Sequence, residues 1–347
     1  MSIYPLILVY VYFLVTCIIF NKKNKYIYIL SGVVLILFAT FRPHTLNVDT
    51  NTYINYYNTV PSFRYLFEYN NYYFEKGYVF LNMLISSMGL NYRFFLFITA
   101  TLSLLFVTTS LYRYTSYSFL TLFIYFSNFY FLNELLIMRT GIASSIILYA
   151  FRYLNNNKKK YILFIMIASL FHRIALVALL PIIIMKLNII KRKKTILFLI
   201  VTAFFLGRVG TIEFIVNNFK SILPLKIYYY FVNYEYVESS YRKLFIFVPI
   251  FIYFLKNSNK YKKNNFFEES MIFLFISIFL KLLFIKHEAL DRISHLFLMG
   301  ILFLPDIYLK SIKRKEVRFF TKFMIIVFFG VLLIWYLRGD NVITIIW

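Results

Sequence analysis

Long apolar runs separated by short clusters of lysine and arginine are the feature that most restricts how this chain can fold. Of the 347 residues, 61% are hydrophobic and 15% are charged, whereas an average soluble protein has about 25% charged residues. A water-soluble fold is therefore excluded. Lysine and arginine exceed aspartate and glutamate by 38 − 14 = 24, but the excess lies between apolar runs. This arrangement predicts a polytopic membrane protein rather than a nucleic-acid-binding protein.

The basic clusters predict the orientation of the chain, because short loops rich in lysine and arginine tend to stay in the cytoplasm. The segments assigned to the cytoplasm on this ground are 21–25, 155–160, 191–194, 256–263 and 310–318. No basic residue precedes the first apolar run, Ile3 to Phe20, and lysines follow it directly. This pattern is the reverse of a secretory signal peptide, so we expect the N-terminus outside.

The apolar stretches predict an all-α polytopic membrane protein with about twelve transmembrane segments in one membrane domain, residues 1–347. The predicted segments are 3–20, 26–41, 92–112, 118–135, 138–154, the two halves of 161–188, 195–210, 243–255, 266–285, 293–309 and 319–337. His172 and Arg173 interrupt 161–188, which predicts a broken helical hairpin that turns near Phe171. The stretch 78–88 reaches only roughly 17 Å, against a hydrocarbon core of about 30 Å, so we expect it to dip in from outside.

Two long loops, 42–77 and 211–242, are predicted on the outer side. The first contains Arg42, Asp49 and Glu75, and the second contains several tyrosines around Glu235 and Glu238. Loops of this length are uncommon in a compact chain and often carry function. We therefore expect substrate to bind on the outer side of the membrane.

Arg139 and Arg292 are the candidate ligands for an anionic lipid. An arginine within an apolar segment costs about 2.5–3.5 kcal/mol on insertion scales, so it is usually retained for a reason. Its planar fork matches two phosphate oxygens at once. The alternative for Arg139 is an arginine whose charge reaches the membrane interface. The alternative for Arg292 is an ion pair with Asp291 or Glu288.

His172 is the candidate general base, because a neutral imidazole can accept a proton from a sugar hydroxyl. The alternative is a turn residue that bonds the free carbonyls of a helix end. Asp49 could bind sugar hydroxyls, whereas a metal site usually needs several oxygen ligands, so no metal is predicted. Glu75 opens the short helix, where the helix dipole alone could account for its charge. The lone Cys17 can form no intrachain disulfide.

Several common motifs are absent from the sequence. It contains no glycine-rich phosphate loop, no HExxH, no CxxC and no GxSxG. ATP-driven transport by this chain alone is therefore not expected, and no cofactor is predicted.

The candidate motifs, taken in order, resemble the EpsG-like branch of the Wzy-type polysaccharide polymerases. They are Phe41-Arg42, Val48-Asp49-Thr50 with Tyr53, Glu75-x-Gly77-Tyr78, Arg139 with Gly141-Ile142-Ala143, Ala168-Ser169-Leu170-Phe171-His172, and Arg292. The similarity extends from about residue 40 to 190, with a weaker match near 290. Two positions depart from the family pattern: Asn47-Val48 stands where glycine usually precedes the Asp-Thr pair, and Thr140 stands where glutamine is frequent.

The resemblance implies a multi-span enzyme of the bacterial cytoplasmic membrane, for which a GT-C-like architecture is one candidate. Such an enzyme transfers the growing glycan from undecaprenyl diphosphate to the non-reducing end of an incoming unit on the outer face. It uses no nucleotide sugar. The implied partners are the undecaprenyl-diphosphate-linked oligosaccharide, membrane lipid and, as a further candidate, a chain-length regulator protein.

The resemblance also assigns roles to individual residues. Arg139 and Arg292 would hold the leaving diphosphate, and His172 would activate the acceptor hydroxyl. The residues that would bind or shape the sugar are Arg42, Asp49, Tyr53, Glu75, Tyr78 and Arg173.

Two other functions remain open at this point. An O-antigen or teichoic-type ligase, or a lipid-phosphate-dependent glycosyltransferase, would share the outer arginines and differ in its acceptor. A flippase for the lipid-linked unit would need ionisable residues near the midplane of several spans. The main candidates are Glu268, Glu269 and Lys281, and two of these lie near the inner end of their span, which disfavours transport.

Overall fold

The structure is a computed structural model that describes residues 4–20, 23–42, 48–69, 73–211, 214, 218 and 242–339. The predicted outer loop 211–242 therefore lies almost entirely outside the described residues. Every regular element in the described ranges is a helix. The all-α prediction is confirmed for this part of the chain.

The α-helices are numbered in chain order, and the longer ones follow the apolar stretches, whereas Val48–Thr59 lies within the predicted outer loop 42–77. The first ten are α1 (Tyr4–Ile19), α2 (Lys25–Thr40), α3 (Val48–Thr59), α4 (Lys76–Ser87), α5 (Tyr92–Tyr114), α6 (Ser118–Tyr125), α7 (Met138–Ala150), α8 (Tyr153–Asn156), α9 (Lys158–Ser169) and α10 (Leu180–Lys186). The others described are α11 (Lys193–Val209), α12 (Arg242–Lys256), α13 (Ser258–Tyr261), α14 (Phe267–Leu283), α15 (Glu288–Leu298), α16 (Leu304–Ser311) and α17 (Lys315–Gly339). A π-helix, Phe126–Leu136, continues α6.

Four helical segments are long and apolar enough to cross a membrane, by length and composition. They are Tyr92–Tyr114, Ser118–Leu136, Leu290–Ser311 and Lys315–Trp335. Shorter apolar helices are Tyr4–Ile19, Lys25–Thr40 and Leu244–Lys256. A helical membrane protein is supported, but the predicted count of about twelve spans is not confirmed. One reason is that α7, within the predicted span 138–154, has 13 residues and reaches only about 20 Å.

The chain breaks where His172 and Arg173 interrupt the apolar stretch 161–188. Helix α9 ends at Ser169, and a 3₁₀-helix, Arg173–Leu179, leads into α10. The position of the predicted break is confirmed. Because backbone groups at a helix end have no intrahelical partner, this break leaves donors and acceptors available to other elements.

The described chain divides into two compact units. The first contains residues 1–176 and 305–347, and the second contains residues 177–304. In the first unit, α5 packs against α2 and α7, and α7 packs against α9. In the second unit, α14 is central and packs against α10, α11, α12 and α15.

In the first unit, basic residues and candidate site residues lie at opposite ends of the helices. Helix α2 begins at Lys25 and ends just before Arg42, and α9 begins at Lys158 and ends just before His172. Helix α5 runs the other way, and the Lys23 ammonium donates a hydrogen bond to the Tyr112 carbonyl near its C-terminal end. The candidate site therefore lies away from the basic clusters.

Candidate functional site

Glu75 connects the two motifs that the sequence singled out for chemistry. Its Oε2 accepts a hydrogen bond from Arg139 Nη1 at 2.8 Å, and its Oε1 lies 3.1 Å from His172 Nδ1. The backbone N–H of Arg173 donates to the same Oε1 at 3.2 Å. The carboxylate does not cap its own helix, so the helix dipole alone does not account for it. Glu75, Arg139, His172 and Arg173 are called the Glu75 cluster below.

Gly77 allows the start of α4 to lie against the chain break after α9. Its N–H donates to the Leu170 carbonyl at 2.8 Å. A Cβ at position 77 would lie 2.8 Å from the Leu170 oxygen and 2.9 Å from its Cβ. Only glycine therefore permits this approach, which places Glu75 beside His172. This contact gives a physical reason for the Glu75-x-Gly77 pattern.

Replacing Gly77 with alanine is expected to destabilise the protein by about 1–3 kcal/mol, the usual cost of forcing an extra methyl group into a packed site. Thermal unfolding of the detergent-solubilised protein measures the change. Gly32→Ala is the matched control, since its Cβ would meet Thr108 Cγ2 at an ordinary 3.4 Å. Equal midpoints for Gly77→Ala and wild type would contradict the close approach.

Arg139 lies within a group of aromatic rings. Its guanidinium carbon is 4.8 Å from the ring centre of Phe74, 5.8 Å from that of Tyr53 and 6.0 Å from that of Tyr78, within the usual range of cation–π contact. Tyr53 and Tyr78 are themselves buried. Both tyrosine rings therefore help to hold the Arg139 guanidinium in place.

Arg42 lies beneath the same region, buried at 4% exposure. Its guanidinium donates to the Glu134 carbonyl and, at 2.9 Å, to Met138 Sδ. Arg42 thus connects the end of the π-helix to the start of α7, next to Arg139. A Cβ on Gly141 would lie 2.1 Å from the Asn133 oxygen, so glycine is required where α7 passes the π-helix.

The charge of Glu75 determines which nitrogen of a neutral His172 carries the proton. Burial raises the pKa of the Glu75 carboxyl, but the hydrogen bond with His172, the charge of Arg139, the charge that His172 carries when protonated, and the Arg173 N–H lower it to about 2. Glu75 is therefore ionised at neutral pH and can only accept hydrogen bonds. Nδ1 of His172 must carry the proton, and Nε2 is left for another partner.

The Glu75 cluster has both a buried and an accessible part. The side chain of Glu75 is 9% exposed, whereas those of Arg139 and His172 are 21% and 18% exposed. Arg173 is exposed, and its guanidinium forms no ion pair with a described residue. An anionic ligand can therefore approach the arginines while Glu75 stays covered.

Asp49 and Arg292 are the two remaining predicted site residues. Asp49 lies in the first turn of α3, but its side chain is outside the described part of the chain. Arg292 lies on α15 in the second unit, where it is exposed. Its neighbour Asp291 contacts Lys281 Nζ at 2.5 Å and Ser294 Oγ at 2.6 Å.

Glu134 was not singled out from the sequence, although an ionisable residue within an apolar segment is a functional candidate by default. It is 4% exposed, and its Oε1 accepts hydrogen bonds from Ser103 Oγ and Tyr125 Oη, both at 2.7 Å. It lies in the π-helix, an element often found at functional sites. Within the described ranges, no three His, Cys, Asp or Glu residues are grouped as possible metal ligands.

Comparison with models of known protein families gives a match to the EpsG family over residues 25–344, nearly the whole chain. The resemblance inferred from the motifs is confirmed, and the match extends well beyond the motifs themselves. No curated protein and no solved structure gives a match.

Proposed function

Because the chain belongs to the EpsG family, we propose that it is a polysaccharide polymerase that uses a lipid-diphosphate-linked donor. In the proposed reaction, the growing glycan is transferred from undecaprenyl diphosphate to the non-reducing end of an incoming lipid-linked repeat unit. The energy is stored in the bond between the sugar and the diphosphate, so the reaction requires no nucleotide. The observation that supports this proposal most directly is that the Glu75 carboxylate contacts both Arg139 and His172.

His172 is the proposed general base. With Nδ1–H donating to Glu75, the neutral imidazole has its lone pair on Nε2. As the acceptor oxygen attacks the anomeric carbon, its proton passes to Nε2. The ionised carboxylate of Glu75 then lies 3.1 Å from Nδ1 of the resulting imidazolium and stabilises its charge. Glu75 is therefore a positioning residue.

Arginine is the proposed ligand of the leaving diphosphate. The bond between the anomeric carbon and the diphosphate oxygen breaks with both electrons going to oxygen, through an oxocarbenium-like state. Preplaced donors stabilise the negative charge that gathers there. Arg139 supplies a guanidinium held by Glu75 and stacked rings, and exposed Arg173 lies next to the base. Arg292 is proposed as a further ligand on sequence grounds.

The proposed site faces outside. The helix ends near Arg42 and His172 are opposite those that bear Lys25 and Lys158, and basic ends favour the cytoplasm. The lipid-linked units would then be joined on the outer face of the cytoplasmic membrane.

Single-cysteine labelling tests this orientation. We expect Asn58→Cys to react with an impermeant thiol reagent added to intact cells and Lys158→Cys to resist it. Both positions are exposed, but Lys158 begins α9, whereas Tyr57, next to Asn58, contacts Tyr92 at the start of α5. The native Cys17 is buried and should contribute little background. Reaction of Lys158→Cys alone would reverse the assignment.

The function itself is tested with purified protein and a lipid-linked repeat unit, without nucleotide. A polymerase converts single units into a ladder of longer products. Transfer onto a different acceptor without a ladder would instead indicate a ligase. Movement of the unit across vesicles without a new glycosidic bond would indicate a flippase. Either of these two outcomes would overturn the proposed function.

A further inference from the structure

A groove of about 390 Å³ runs between α2 and α5. No residue of the Glu75 cluster lines it. Its volume falls within the range of about 300–1,000 Å³ found for small-molecule sites. Gly32 and Thr108 both line the groove, and a Cβ at position 32 would lie 3.4 Å from Thr108 Cγ2. The walls are aliphatic, with Ile29, Val33 and Ile36 on one side and Leu104 and Leu105 on the other.

Positive charge is confined to one end of this groove. Lys25 begins α2 and Arg113 lies in the last turn of α5, and both line the mouth. Both are exposed, and neither forms an ion pair with a described residue. None of the described lining residues is acidic. The mouth therefore favours an anion, and guanidinium and ammonium groups are the usual ligands of phosphate.

The length of the groove matches one leaflet of a bilayer. From Lys25 to Ile36, α2 rises roughly 17 Å at about 1.5 Å per residue. Half of a hydrocarbon core of about 30 Å is roughly 15 Å. An acyl chain whose headgroup lies at the mouth would therefore end near the far end of the aliphatic walls.

We propose that this groove binds one anionic phospholipid, with its phosphate between Lys25 and Arg113 and one acyl chain along α2 and α5. The basic end of the first unit is opposite the Glu75 cluster, and basic ends favour the cytoplasm. The occupant is therefore a lipid of the inner leaflet, distinct from the lipid-linked sugar. This site requires no part of the proposed polymerase chemistry.

Lipid titration tests the proposal on the full-length protein in phosphatidylcholine vesicles that contain phosphatidylglycerol. Native mass spectrometry of the extracted protein counts the phosphatidylglycerol molecules retained. We expect one retained molecule, bound roughly 25-fold more weakly by Lys25→Ala/Arg113→Ala, since each cation near an anionic lipid contributes about fivefold. Retention of phosphatidylcholine should not change.

A matched control removes the same number of positive charges elsewhere at the basic end of the first unit. Lys158 and Lys159 are exposed at the start of α9 and do not line the groove, so Lys158→Ala/Lys159→Ala should retain the lipid as wild type does. Val33→Trp leaves both cations in place but fills the groove, and it should also lose the lipid. An equal loss in the control, or full retention by both groove variants, would overturn the proposal.

Discussion

Arg139→Ala is expected to abolish long-chain polysaccharide while the protein still reaches the membrane. The arginine is held by Glu75 at 2.8 Å and stacked near Phe74, so its guanidinium is preplaced before substrate arrives. Removing one preplaced donor to a developing anion typically costs on the order of 10²–10³-fold in rate. Polysaccharide length on gels and the turnover of purified protein measure the effect.

Two further variants separate this role from charge and packing alone. Arg139→Lys keeps the positive charge but loses the planar fork, so we expect partial activity with shorter chains. Arg152 lies beyond the other end of α7. Its guanidinium carbon is 4.6 Å from the ring centre of Tyr149 and 4.3 Å from that of Tyr153. Arg152→Ala thus removes a comparably stacked arginine and should leave chain length unchanged. Arg292→Ala should resemble Arg139→Ala, and normal chains from the double variant would contradict the diphosphate role.

His172→Ala is expected to accumulate single lipid-linked units, because the acceptor hydroxyl loses its base. General acid–base catalysis contributes about 10²–10⁴-fold, so turnover should fall within that range. Glu75→Gln keeps the size of the side chain but removes the charge that fixes the imidazole tautomer and stabilises the imidazolium. We expect Glu75→Gln to lower the rate of transfer as well.

The double variant distinguishes a positioning role from a merely structural one. If Glu75 acts through His172, then Glu75→Gln should cost little further activity in a His172→Ala background. Glu68→Gln makes the same change at an exposed position in the same segment and should be silent. Independent, additive losses from the two changes would contradict the coupling, and normal turnover by His172→Ala would exclude the histidine as base.

The helices and the break after α9 could be predicted because they depend on local pattern. Apolar runs of sufficient length form helices, and a histidine and an arginine in the middle of such a run interrupt it. The boundaries of α2 and α11 accordingly lie within a few residues of the predicted stretches. The number of spans could not be predicted equally well, since the sequence does not indicate how far each helix continues before it ends.

Arg139, His172 and Glu75 could each be predicted as site residues from the sequence, but the contacts between them could not. The residue pairs that meet are 64 and 97 positions apart, and nothing local relates them. The same is true of Arg42, which donates to the Glu134 carbonyl 92 positions away. Whether an arginine reaches substrate or a backbone carbonyl depends on which helix packs beside it.

The sequence by itself indicated a membrane protein, its helical class and its family. Composition, the length of the apolar runs and the order of the motifs are properties of the chain alone. Only the tertiary structure decided that one carboxylate would serve both an arginine and a histidine. The physical reason is the contact between Gly77 and Leu170, where the absence of a side chain lets two distant segments approach until Glu75 meets both partners.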